Sequence, residues 1–137
     1  MNVLVDTSIW SLALRHRRHR LTTSDEVLIR ALADLVGYSR AQLIGPVRQE
    51  VLSGIREHAQ FIRLRDALRL YEETTLVASD FEEAARMSNE CRRRGITGSP
   101  VDFLLCAVAE SHQWQIFTTD RDFEHYRRAL SVNLFRP

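Results

Sequence analysis

Short apolar runs alternate with longer amphipathic stretches along this chain of 137 residues. The runs at 2–5, 42–44, 74–77, 116–118 and 132–134 are aliphatic or β-branched and read as strands. Helix signals lie between them. Thr23 and Glu26 stand at capping-box spacing, Ser79 and Glu82 repeat it, and Ser99-Pro100 offers an N-cap followed by proline at the first helical position. Gly54 and Gly95 fall where helices should stop. Phe81, Ala84, Ala85, Ser88 and Cys91 keep the i, i+3, i+4, i+7 rhythm, which predicts one inward face. Strand alternating with helix predicts an α/β fold with a largely parallel sheet, because parallel neighbours need helical crossovers.

The segment 26–36 carries charge only at Glu26, Arg30 and Asp34, a single narrow polar stripe on a helix. The rest of its circumference is apolar, so it either meets core on two sides or leaves a hydrophobic patch for a partner.

Composition narrows the chemistry. The length fits one domain, 1–137, with one core. No stretch approaches the roughly 18 uncharged residues of a membrane span, and the N-terminus lacks a signal-peptide pattern, so a soluble cytoplasmic protein is expected. Cys91 and Cys106 lack metal-ligand spacing and read as reduced and structural. The basic residues are 19 arginines without a single lysine. That excludes a Walker-type phosphate loop and Schiff-base catalysis, both of which need the amine. With a formal charge of +1, nucleic-acid contact must come from local patches.

Four acids stand in notable places. Asp6 directly follows Val3, Leu4 and Val5, and Asp120 follows Ile116 to Thr119, so each sits at the carboxyl end of a predicted parallel strand, where open α/β sheets bind ligands. Glu50 lies one turn into the helix beginning near Pro46, and Asp102 lies in the first turn after Ser99-Pro100. Each also has a structural explanation. Asp6 and Asp120 fit helix caps, Glu50 fits a solvated helix face, and Asp102 fits an imperfect capping box with Ser99. Asp102 differs in that the apolar stretch behind it predicts a buried helix, where an unpaired carboxylate is costly. Together the four would repel one another, and a hard divalent cation, Mg²⁺ or Mn²⁺, would resolve that repulsion.

The segments Val3-Leu4-Val5-Asp6-Thr7-Ser8-Ile9-Trp10, Pro46-Val47-Arg48-Gln49-Glu50-Val51, Gly98-Ser99-Pro100-Val101-Asp102-Phe103-Leu104-Leu105-Cys106-Ala107 and Thr118-Thr119-Asp120-Arg121-Asp122-Phe123, in this order, resemble the four acidic motifs of the PIN-domain ribonucleases, specifically the VapC-like toxins of toxin–antitoxin systems. The resemblance spans nearly the whole chain. It implies a three-layer α/β/α sandwich around a mainly parallel sheet of four to five strands. It further implies an endoribonuclease that hydrolyses RNA with Mg²⁺- or Mn²⁺-activated water. Asp6, Glu50, Asp102 and Asp120 would be the catalytic and metal-binding cluster, and Thr7, Ser8, Thr118 and Asp122 its auxiliaries. A homodimer and a cognate VapB-like antitoxin are the implied partners.

Arg15, Arg17 and Arg18, in a basic stretch that includes His16, His19 and Arg20, are candidates for holding RNA phosphates, as is Arg121 between two candidate acids; a solvated loop explains the stretch equally. Trp10 either stacks a base or serves the core. Two other readings stand beside the nuclease. A PIN-like interaction module without hydrolysis would keep the same fold. A haloacid-dehalogenase-type phosphatase would need a second Asp where Ser8 stands, and a Lys.

Overall fold

The computed structural model describes residues 1–15 and 20–137. Four strands form one sheet: β1 (Val3–Val5), β2 (Ala41–Ile44), β3 (Glu73–Thr74) and β4 (Gln115–Phe117), in the order β3-β2-β1-β4, every pair parallel. All residues of β1 and β2 are buried, as expected of parallel strands covered on both faces. The one polar residue of these two strands, Gln42, has its Oε1 satisfied by the Thr74 hydroxyl of β3 at 3.0 Å.

Seven helices complete the described chain: α1 (Thr7–Leu14), α2 (Thr23–Gly37), α3 (Gly45–Leu52), α4 (His58–Leu68), α5 (Ala78–Arg93), α6 (Pro100–His112) and α7 (Asp122–Tyr126). The paths β1-α1-α2-β2 and β2-α3-α4-β3 step across the sheet in one direction, while β3-α5-α6-β4 returns the full width. Right-handed crossovers therefore place α1 to α4 on one face and α5 with α6 on the other. The packing agrees, with α1 against α2 and α3, α3 against α4, and α5 against α6. The expected three-layer α/β/α sandwich is thus present. The direction of winding reverses between β1 and β4, so the carboxyl ends of these neighbours define the switch-point crevice.

Two expected strands are shorter than their apolar runs. Of 74–77 only Thr74 is strand, because Val77 turns to head α5 and its N–H bonds Asp80 Oδ2 at 2.8 Å. From 132–134 only Leu134 pairs, as a single parallel bridge to Ile116, so the sheet has four strands and no full fifth. The caps shift in the same way. The box at the start of α2 is Thr22 with Asp25, one residue ahead of the expected pair. At α5 Asp80 performs the bond expected of Glu82. Gly54 and Gly95 do close helices, with φ of 84° and 75°.

The inward face of α5 is Asp80, Ala84, Met87 and Cys91, which leaves Phe81 and Ala85 on the exposed side. The apolar helix α2 buries Leu32 and Leu35 and packs Leu28, Ala31 and Val36 against the core, while Val27 is 49% exposed. It therefore meets core on one side only. Trp10 is fully buried, its indole N–H donating to the Val5 carbonyl at 3.2 Å and its ring lying 4.7 Å from that of Tyr71, so it serves the core. Cys91 and Cys106 are buried free thiols. Among the described residues no helix is long and apolar enough to cross a membrane.

Candidate metal centre

Asp6 leaves β1 and serves as the N-cap of α1, as the capping reading expects. Its Oδ1 accepts the Thr7 N–H at 2.7 Å; its Oδ2 accepts the hydroxyls of Ser8 at 3.0 Å and Thr118 at 2.7 Å. The same hydroxyls lace the β4 exit, since Ser8 Oγ receives the Thr119 N–H at 3.0 Å and Thr118 Oγ1 receives the Asp120 N–H at 2.9 Å. The Asp6 N–H donates to the Phe117 carbonyl at 2.9 Å. Three small hydroxyl and acid residues thus fix the two strand ends to each other. Burial raises the Asp6 pKa above its ordinary value; the hydrogen bonds from Thr118, Ser8 and Thr7 pull the other way, and the charge of Asp120 adds to the rise.

Asp102 reaches the same crevice from the first turn of α6. Ser99 Oγ accepts the Asp102 N–H at 3.1 Å, half of the expected capping box, but the carboxylate does not return to the cap. Its Oδ2 instead accepts the hydroxyl of Tyr126 at 2.5 Å. Burial raises the Asp102 pKa, and the charges of Asp6 and Asp120 raise it further. Oxygens of Asp102, Asp120 and Asp122 lie within 4.8 Å of one another. Asp122 is held there by its N–H donating to Asp120 Oδ1 at 2.9 Å, a bond across the turn into α7. Glu50 joins from α3 through the Thr7 hydroxyl, which donates to its Oε1 at 2.7 Å.

Residues 3–129 match the PIN domain family. The chain belongs to that family. No curated protein is significantly similar to it in sequence. In fold this PIN domain resembles a chain of VapBC2 from Rickettsia felis bound to a promoter DNA fragment, with TM-score 0.76, 17% identity and 98% of each chain covered. It also resembles a chain of FitAcB from Neisseria gonorrhoeae, with TM-score 0.72, 17% identity, and 98% of this chain and 97% of that one covered. A toxin–antitoxin complex from Klebsiella pneumoniae gives TM-score 0.60 and 21% identity, covering 89% of this chain and 90% of the other.

In this PIN domain the donor set suits a hard divalent cation: the converging groups are all carboxylates, and no described Arg or His forms an ion pair with Asp102, Asp120 or Asp122. The tightest group includes Asp122, which the sequence offered only as an auxiliary, and does not include Asp6 and Glu50, which are bonded to hydroxyl or backbone donors. Thr7, Ser8 and Thr118 all contact these acids. Arg15 and Arg121 are exposed and make no described ion pair. Arg17, Arg18, His16 and His19 lie outside the described residues.

Sequence reasoning missed Tyr126. Its ring is fully buried against Phe103 and Phe123, with centroids 5.1 Å away in each case. Burial and the neighbouring Asp102 drive its pKa well above the usual phenol value. The periodicity of Phe123 and Tyr126 marks a packed helix face, but nothing in it reveals the hydroxyl's partner 24 residues earlier.

Proposed function

We propose that this chain is a VapC-like toxin: a single PIN domain, 1–137, that acts in the cytoplasm as a metal-dependent endoribonuclease and is neutralised by a cognate antitoxin. The observation that carries the reading is the group of Asp102, Asp120 and Asp122 beside buried Asp6, at the strand ends where the sheet's winding reverses, with no ion pair to any of the three among the described residues. Mg²⁺ or Mn²⁺ held by these acids would supply Lewis-acid activation of water and of the scissile RNA phosphate.

The remaining work belongs to the chain's own groups. The bonds from Thr7, Ser8 and Thr118 orient Asp6 and favour its ionised form against the effect of burial. Glu50 would orient the attacking water or accept its proton, a role supported by its exposure and its bond to Thr7. Arg15 and Arg121, together with Arg17 and Arg18, bind backbone phosphates of the RNA. Direct attack by water leaves 5′-phosphate and 3′-hydroxyl ends and has no need of the 2′-hydroxyl. Toxin–antitoxin complexes among the structures of like fold support an antitoxin partner, and the half-exposed Val27 face of α2 is assigned to that partner or to the homodimer.

Incubating the purified protein with single-stranded and structured RNA in Mg²⁺, Mn²⁺ or chelator tests the reading. Cleavage with either metal is expected, none in chelator, and loss of at least about 100-fold in Asp120→Asn, since even the partners of metal ligands are worth 10- to 100-fold. Chelator-resistant cleavage, or full activity in that variant, contradicts it.

A further inference from the structure

We infer that Tyr126 is a positioning residue of the candidate metal centre, which fixes Asp102 in its cation-binding orientation, and that Gly98 is glycine because the Tyr126 hydroxyl occupies the space of a side chain there. The inference rests on the assignment of Asp102 as a cation ligand.

Asp102 offers two oxygens. Oδ2 is taken by the Tyr126 hydroxyl at 2.5 Å, while Oδ1 has no donor among the described residues. The Asp102 N–H is held separately by Ser99. Backbone N–H and carboxylate are therefore each held by a side-chain hydroxyl, and rotating the carboxylate out of the group it forms with Asp120 and Asp122 breaks the tyrosine bond. A hydrogen-bonded carboxylate ligand of this kind is oriented by its outer partner, much as metal-bound histidines are.

The tyrosine is itself immobilised. It emerges from the last position of α7, fully buried, and its ring is wedged between Phe103, the residue after Asp102, and Phe123, the residue after Asp122. One aromatic cluster thus joins the residues that follow both acids, and the Tyr126 hydroxyl bonds Asp102. Gly98 completes the arrangement. A Cβ at this exposed position would fall on the Tyr126 hydroxyl and only 2.7 Å from its Cε1 and Cζ atoms, nearer than real atoms approach. Gly98 has no left-handed backbone angle to explain the residue. Room for the phenol is the constraint that remains.

The test is direct Mn²⁺ titration of the folded, full-length protein, wild type against Tyr126→Phe and Gly98→Ala, with thermal unfolding in chelator as the control. Tyr126→Phe keeps the ring and removes only the hydroxyl. Mn²⁺ affinity is expected to fall by about 10- to 100-fold in Tyr126→Phe. Gly98→Ala, which keeps the hydroxyl but displaces it, is expected to weaken Mn²⁺ in the same direction. A structural role alone would lower the unfolding midpoint in chelator and leave the affinity of the folded protein unchanged, and that result in either variant overturns the inference. RNA cleavage is not the readout, so a protein that binds Mn²⁺ in this tyrosine-dependent way but cuts no RNA contradicts the nuclease reading alone. Wild-type protein that binds no Mn²⁺ overturns both.

Discussion

Asp102 shows how much a single carboxylate can be asked to do. It is the third residue of a helix whose next seven positions are all buried, it faces two other acids, and its one side-chain donor among the described residues is a phenol. Burial and like charge both favour its neutral form, so its folded pKa stands above the unfolded value. Such a group contributes stability that is present below the unfolded pKa and is lost as pH rises through the folded one. Asp6 follows the same sign. In chelator, Asp102→Asn should therefore unfold at a higher temperature than wild type at neutral pH, and the gap should close as pH falls below the ordinary aspartate value of 3.8. Divalent cation should raise the midpoint of wild type at neutral pH far more than that of the variant, because binding to the folded state alone stabilises it. Thermal melts at several pH values with and without Mn²⁺ check all three; a wild type more stable than Asp102→Asn in chelator at pH 7 would show that the acids are not mutually strained. Asp6, by contrast, was legible as a cap, because its neighbours in sequence, Thr7 and Ser8, are also its neighbours in space.

The elements were legible in kind more than in place. At the start of α2 the sequence Thr22-Thr23-Ser24-Asp25-Glu26 permits two capping boxes a residue apart, and spacing cannot choose between them; the one that forms is Thr22 with Asp25. Thr22→Ala should cost about 1 kcal/mol in urea unfolding, and Thr23→Ala markedly less. In α5 the helical rhythm is present and Ala84 and Cys91 are inward as expected, but the face is rotated so that Asp80 and Met87 stand inward in place of Phe81 and Ala85. Phe81 and Met87 differ by six residues, and only the packing of α5 on α6 decides that Met87 is buried and Phe81 half exposed. The helix stops were clearer, since a residue after a helix end that must take a left-handed angle favours glycine strongly. Gly95, with φ of 75°, should lose about 1–2 kcal/mol on change to alanine, whereas Gly37, which has ordinary backbone and open space, should lose little. Equal losses at the two positions would contradict this assignment.

Across the whole molecule, the sheet order explains why acids more than a hundred residues apart meet. β1 and β4 are neighbours, so Asp6 and Asp120 leave the sheet side by side; Asp102 comes from α6, and Glu50 from α3 through the Thr7 hydroxyl. The alternation of strand and helix foretold a parallel sheet, and the four acidic motifs foretold which acids to follow. Asp122 was foretold only as an auxiliary, because its place in the tightest group depends on a turn geometry, its N–H bonding back to Asp120, that residue types alone leave open. Tyr126 was hidden for the same reason at longer range. The surface of α2 belongs to this scale as well. Val27→Asp, on its half-exposed side, should weaken antitoxin binding or self-association without lowering RNA cleavage, as read by gel filtration with and without the antitoxin; unchanged assembly in both would remove α2 from the interfaces. The claim on which all this depends is that one cation sits among the converging carboxylates. Anomalous diffraction from a crystal soaked in Mn²⁺ should show a peak bounded by oxygens of Asp102, Asp120 and Asp122, beside Asp6. A crystal in which this crevice stays without a peak at saturating Mn²⁺, or whose manganese sits on other residues, would contradict it.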